Sequence, residues 1–268
     1  MWWQTRSPRL VATDLDGTVV RSDGTISERT VRALAAVEDA GATLVFVTGR
    51  PPRWMHSVAG ATGHRGLAIC ANGALVYDLH DERVVASFLL EPPALQRLTG
   101  VLRRSLPGVA FAVDYGLSML YEPAYRSNEA GRPGVRAVPG DELLAHPAAK
   151  LLAQHRELDA DALLARAREV AGGDATFTHS SRDGLLEISA SGVSKASTLA
   201  RLCTERGITP GEVLAFGDMP NDLPLLAWAG KGYAVANAHP EVLDAVPLRT
   251  SSNDEDGVAE VLEQVFCR

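Results

Sequence analysis

Cysteine is scarce in this chain: Cys70, Cys203 and Cys267 are the only three among 268 residues. Odd in number, far apart and without a CxxC pair, they suit reduced thiols, with Cys70 inside a core strand, and exclude a disulfide framework or a zinc knuckle. The seven histidines show no HxxxH or HExxH spacing. Apolar runs are short: no segment approaches the ~20 residues that a membrane span needs. Met1 to Pro8 lack the extended apolar stretch of a signal peptide. Basic residues are never massed, and 26 Lys+Arg against 33 Asp+Glu give a net charge of −7, which argues against a phosphate-backbone partner. No internal repeat or low-complexity tract interrupts the chain. The expectation is a cytoplasmic protein, monomer or homodimer, with neither a nucleic-acid nor a membrane partner.

What is present reads as an ordinary globular enzyme, 46% apolar and 22% charged. The first third alternates strand and helix. Leu10 to Thr13 is a short apolar run, and Ser27 can cap a helix with apolar Val31, Leu34, Val37 and Ala40 that closes at Gly41. Asp23-Gly24 before it reads as a turn. Thr43 to Val47 and Leu67 to Cys70 are continuous apolar runs fit for strands buried on both faces. This β-α-β-α-β order predicts a parallel sheet with right-handed crossovers. From about Asp81 to Glu187, short runs (Val84 to Leu90, Val109 to Val113, Leu185 to Ile188) mix with amphipathic stretches and Pro/Gly punctuation, as in an inserted α+β unit. The doubly wound pattern returns with a helix at Val193 to Gly207, a strand at Val213 to Phe216, a helix at Asp222 to Ala229, a last strand at Tyr233 to Ala236 and a helix through Val258 to Phe266. The fold class is therefore α/β, a doubly wound parallel-sheet core (1–80 and 190–268) carrying an α+β insertion (81–189).

Chemistry gathers where these strands end. Asp14 and Asp16 follow the first strand; residues i and i+2 of a strand share a side, so the two carboxylates are expected to emerge together. Like charges so close raise one pKa unless a cation or a proton-transfer task justifies them. The pair points to a divalent metal, to a nucleophile beside an acid/base, or to both. Thr48-Gly49-Arg50 ends the second strand and Asn72-Gly73 the third. Lys195 begins the helix after the insertion, and Gly217-Asp218-Met219-Pro220-Asn221-Asp222 follows a later strand.

Taken in this order, DxDGT, TGR, a helix-start lysine and GDxxND resemble the four motifs of the haloacid dehalogenase (HAD) superfamily, in its Cof-like, sugar-phosphatase-type branch, whose insertion is a large α/β cap. The resemblance covers the whole chain and implies a phosphomonoester hydrolase of small phosphorylated metabolites, sugar phosphates foremost, with Mg²⁺ as cofactor. It implies Asp14 as the nucleophile that becomes an aspartyl-phosphate and Asp16 as general acid and then base. Thr48 would bond the phosphoryl group, with the amides of Leu15 and Gly49 as further donors. Lys195 would neutralise phosphate and nucleophile. Asp218 would bind Mg²⁺ with the Asp14 carboxylate and the Asp16 carbonyl, Asn221 would contact phosphate, and Asp222 would hold Lys195 or a metal-bound water. Arg50 and Asn72 would meet substrate at the mouth, although Asn72 equally suits a turn that needs an unusual φ.

Two other functions fit the same motifs: a phosphosugar mutase, and a phospho-accepting or ligand-binding regulator, against which the presence of Asp16 argues. Gly230-Lys231-Gly232 precedes a strand instead of following one, so it is no dinucleotide loop. His179, near the end of the cap, could meet substrate but is expected at the surface, and Trp54 is expected packed under the cap. Lys150, Arg182 and Tyr125 are cap residues that could select substrate.

Overall fold

In the computed structural model, which describes residues 7–179 and 184–267, each apolar run that ends in a polar residue is a strand. Leu10–Thr13 (β1) leads through a turn to Glu28–Asp39 (α1), where Ser27 Oγ accepts from Thr30 N at 3.0 Å and caps the helix. Ala33, Leu34 and Val37 form its buried stripe, and Gly41, at φ +78°, turns the chain out of it. Thr43–Val47 (β2), Met55–Thr62 (α2) and Leu67–Cys70 (β3) follow. A tight turn over Ala71–Gly73 then reverses the chain into Leu75–Asp78 (β4) and Arg83–Ser87 (β5).

β5 corrects the expected boundary at residue 81. It pairs antiparallel with β4 from Leu75↔Ser87 to Asp78↔Arg83, so it is the edge of the first sheet. The length of the run Val84 to Leu90 fits either sheet, and only the pairing decides.

The insertion builds a second sheet. Its elements are Pro92–Ser105 (α3), Ala110–Asp114 (β6), Met119–Tyr121 (β7), Val135–Ala137 (β8), Gly140–Leu143 (α4), Lys150–Gln154 (β9), Ala160–Ala171 (α5), Ala175–Thr178 (β10) and Leu185–Ala190 (β11). The strand order is β10-β11-β9-β6-β7-β8, antiparallel except for β7 with β8. Strand alternation gives this sheet two unlike faces. Phe111, Val113, Leu151, Ala153, Leu186 and Ile188 bury against Leu95, Leu98 and Leu102 of α3 and Leu163 and Ala167 of α5. The alternate residues, among them Asp114, Lys150, Leu152, Leu185 and Glu187, stand on the other face.

The chain then re-enters the first sheet through Lys195–Glu205 (α6), Val213–Gly217 (β12), Leu223–Trp228 (α7), Lys231–Val235 (β13), Pro240–Ala245 (α8), Leu248–Thr250 (β14) and Gly257–Phe266 (α9). The strand at 231–235 is therefore not the last; three-residue β14 pairs in parallel beside it and is too short to show a period in sequence. The order β14-β13-β12-β1-β2-β3-β4-β5 places β1 between β2 and β12. β1 connects onward to β2 on one side and β12 onward to β13 on the other, and at such a switch point the carboxyl ends of the strands open a crevice. Among the described residues no helix is long and apolar enough to cross a membrane.

The turn after β3 is locked to α6: Thr198 Oγ1 donates to the Gly73 carbonyl at 2.7 Å. Gly73 has φ +104°, and a Cβ there would lie 2.3 Å from the Ser194 carbonyl oxygen. Gly41 also has positive φ, with open space around it. Gly73→Ala should therefore cost about 3 kcal/mol, left-handed strain plus overpacking, and Gly41→Ala only about 1 kcal/mol. Urea midpoints of the two variants check this; equal losses would mean the contact at Gly73 relaxes freely.

Candidate active site

Asp14 leaves β1 at the switch point, its N–H donating to the Phe216 carbonyl of β12 at 3.1 Å. The Leu15 carbonyl then accepts from the amides of Thr18, Val19 and Val20, folding the next residues into a turn. That turn brings Thr18 Oγ1 to donate to Asp218 Oδ1 at 2.8 Å. Gly17 is required at its apex: φ is +75°, and a Cβ would stand 2.4 Å from Asp218 Oδ2.

Lys195 enters from the first turn of α6, held by a capping box in which Ser194 and Ser197 bond each other's backbone and side chain. Its Nζ lies 3.0 Å from Asp14 Oδ1 and 2.7 Å from Asp222 Oδ1, with both partners buried. Asp222 is fully committed, since its Oδ2 also accepts from the amides of Asp218 and Met219 at 3.1 and 3.0 Å. Burial pulls the Lys195 ammonium down, but the Asp14 and Asp222 carboxylates outweigh it and keep it protonated well above its ordinary range. Burial raises Asp14, assisted by Asp222 and Asp218 and opposed by Lys195. Burial likewise pushes Asp218 up to about 7, with Asp222 adding to it.

Asp14, Asp218 and Asp222 offer carboxylate oxygens that all lie within 4.8 Å of one another. One ammonium cannot balance three carboxylates, and repulsion among the carboxylates adds to burial in raising Asp14 and Asp218. Asn221 Oδ1 is also buried without a hydrogen-bond partner among the described residues. Hard oxygen donors short of positive charge, beside an orphaned acceptor, fit a hydrated divalent cation of the Mg²⁺ type.

Asp16 departs from expectation. β1 ends at Thr13, so strand alternation no longer governs the aspartates: Asp14 is buried, whereas the Asp16 side chain is 59% exposed. Its carboxylate turns to Arg50, which donates from Nε and Nη2 at 2.8 and 2.5 Å. Thr48 is buried and its Oγ1 accepts from Arg50 N at 3.0 Å, shaping the loop after β2. The Gly49 carbonyl accepts from Lys150 Nζ at 2.8 Å. Asn72 takes the turn conformation considered for it, with φ +57°, and its side chain is engaged by the protein, bonding Glu187 and Asn221, each at 3.1 Å.

The open face of the second sheet lies over these loops and encloses a cavity of about 210 Å³, lined by Asp14, Asp16, Lys195, Arg50, Trp54 and Tyr125 among others. Lys150, expected as a cap residue, is buried against Glu187 at 2.5 Å and touches the core through Gly49. Arg53 binds Asp114 and Glu129, each through two nitrogens, at 2.7–3.1 Å. Trp54 packs there as expected, and its Nε1 also donates to Glu129 at 2.6 Å. His179 is not at the surface: it is buried, with Nε2 2.9 Å from Asp161 Oδ1. Arg182 lies outside the described residues.

Sequence reasoning missed Thr18, Arg53, Asp114, Glu129 and Glu187. A signal existed for two of them: Glu187 inside Leu185-Leu186-Glu187-Ile188 and Asp114 ending Ala110–Asp114 are charges at strand positions an apolar core would not choose. Glu129, on a loop, carried none.

Residues 11–262 match the haloacid dehalogenase-like hydrolase family. YxeH of Bacillus subtilis (strain 168) is 31% identical over 96% of this chain and 98% of its own length. The 5-amino-6-(5-phospho-D-ribitylamino)uracil phosphatase YitU of the same organism is 27% identical over 97% and 98%. Among solved structures, a haloacid dehalogenase-like hydrolase from Bacteroides thetaiotaomicron superposes with a TM-score of 0.79 at 27% identity, covering 97% of this chain and all of that one. SMU.1108c from Streptococcus mutans UA159 reaches 0.86 at 22% identity, over 98% and 100%, a likeness of fold.

A cation at this cluster must displace the proton that the folded state holds on Asp218. The group is raised from 3.8 to about 7, so in cation-free protein its contribution to stability falls as pH rises across that window. The rise in melting temperature produced by a fixed Mg²⁺ concentration, relative to chelator, should be small below about pH 6 and full above about pH 8. A rise independent of pH would place the cation elsewhere.

Proposed function

Since the chain belongs to the haloacid dehalogenase-like hydrolases, in their Cof-like branch, and is a phosphatase, we propose that it is a Mg²⁺-dependent phosphomonoesterase of small phosphorylated metabolites, sugar phosphates foremost, working through an aspartyl-phosphate. The supporting observation is a buried carboxylate, Asp14, paired with a buried ammonium, Lys195, at the floor of a roofed cavity whose lining also carries Asp16. Two relatives are named as phosphatases of small molecules, YitU and the HMP-PP phosphatase of Yersinia pestis.

The roles follow from charge and position. Asp14 Oδ attacks phosphorus; the bond from phosphorus to the ester oxygen breaks, and Asp16 gives that oxygen its proton. Asp16 then takes a proton from water, which attacks phosphorus and breaks its bond to Asp14, releasing phosphate. Asp16 must leave Arg50 to do this, and its side chain, 59% exposed, can be rehydrated as it swings away. The freed Arg50 guanidinium can meet the phosphate oxygens. Lys195 screens the dianion from Asp14 during approach, and Asp222 keeps the ammonium in place. Thr48, Asn221 and the amides of Leu15 and Gly49 supply neutral donors. Asp14 and Asp218, with the Asp16 carbonyl, would hold Mg²⁺, which when bound adds the positive charge that stabilises the phosphoryl oxygens. The roof excludes bulk water from the aspartyl group.

Purified protein with Mg²⁺ should release inorganic phosphate from members of a sugar-phosphate panel. Asp14→Asn should abolish turnover, and Asp16→Asn should lower kcat about 10²–10⁴-fold. Undiminished turnover by Asp14→Asn, or isomerisation without phosphate release, would remove this reading.

A further inference from the structure

We propose that the preferred substrate is a monophosphate whose leaving group bears no second negative charge, because each cation lining the cavity among the described residues is already neutralised by the protein's own carboxylates. This inference rests on the phosphatase reading and deepens it.

The balance is specific. Arg50 is taken by Asp16, and Lys195 by Asp14 and Asp222. These sit beside the reacting phosphate and are available only to it. In the roof, where the leaving group must lie, Lys150 is paired with Glu187. Arg53 is shared between two carboxylates, Asp114 and Glu129, both nearly fully buried. That trio carries a net charge of −1 and its guanidinium is occupied on both edges. A second phosphate or a carboxylate there would find no unpaired cation among the described residues that line the cavity and would face an excess negative charge held on buried carboxylates, where Coulomb terms are large. An amine or a hydroxyl meets no such opposition.

The rest of the roof agrees. Met119, Leu152 and Leu185 line it, and Tyr125 belongs to the same apolar patch. Such a surface accepts the carbon skeleton of a neutral leaving group. Glu129 and Asp114 thereby act as specificity-determining residues: each removes from Arg53 the charge that would otherwise attract an anion.

The test compares kcat/KM for phosphate release from a hexose monophosphate, the corresponding amino sugar phosphate, the uronic acid phosphate and the hexose bisphosphate. The first two should exceed the last two by ~10-fold or more. Glu129→Gln keeps one of the two acceptor oxygens but removes the charge, and should narrow that ratio ~10-fold; Asp114→Asn provides the same test if the first variant folds poorly. Ratios within one preparation are insensitive to the folded fraction. Equal efficiency on charged and neutral leaving groups, or a ratio unchanged in both variants, overturns the inference alone. Absence of phosphate release from all four substrates, and from a wider panel, overturns instead the reading on which it rests.

Discussion

The buried ammonium of Lys195 is the constraint on which the site depends. Removing an ion from water is expensive, and it persists inside a protein only when carboxylates and hydrogen bonds compensate it. Here Asp14 and Asp222 do so, and each is held by a different part of the chain: Asp14 by β1 against β12, Asp222 by the backbone that follows β12. Lys195 itself is delivered by α6, whose first turn is tied to the end of β3 through Thr198 and Gly73. One charge cluster thus joins segments as far apart in the chain as Asp14 and Asp222, and the same residues that stabilise the ammonium prepare a nucleophile and a cation site.

The cluster also explains the glycines around it. Gly17 lets the turn press against Asp218, and Gly217 lets Asp222 fold back, its side chain occupying the space a Cβ would need. Close approach of carboxylates is the requirement, and side chains at these two positions would prevent it. The roof obeys a different rule. Its sheet has one oily face toward α3 and α5, and the opposite face is free to carry Asp114, Lys150 and Glu187. Period-two alternation therefore lets one set of strands both build a core and present paired charges to the cavity.

Much of this was legible from residue order. The apolar runs at 10–13, 43–47, 67–70 and 213–216 each became a strand of the first sheet, and Asp14, Thr48 and, just past Gly217, Asp218 follow three of them. Asp14, Lys195, Asp218 and Asp222, from three separate strand and helix ends, are brought into one buried cluster. Two elements escaped for the same reason, that hydrogen-bond partners are not encoded locally: β5 joined the first sheet instead of the insertion, and β14 was too short to be seen. Asp16 escaped because alternation stops where a strand stops. His179, isolated in a polar stretch, carried no sign that α5 would cover it with Asp161.

By itself the sequence determined which residues could do chemistry and which strand ends would carry them, because periodicity and turn residues act over a few positions. Only the tertiary structure decided how the charges were shared. Whether Arg53 is a free cation or one locked between Asp114 and Glu129, and whether Asp16 sits beside Asp14 or turns to Arg50, depends on contacts between segments remote in the chain. Electrostatic energy depends on distance and burial, and both come from packing.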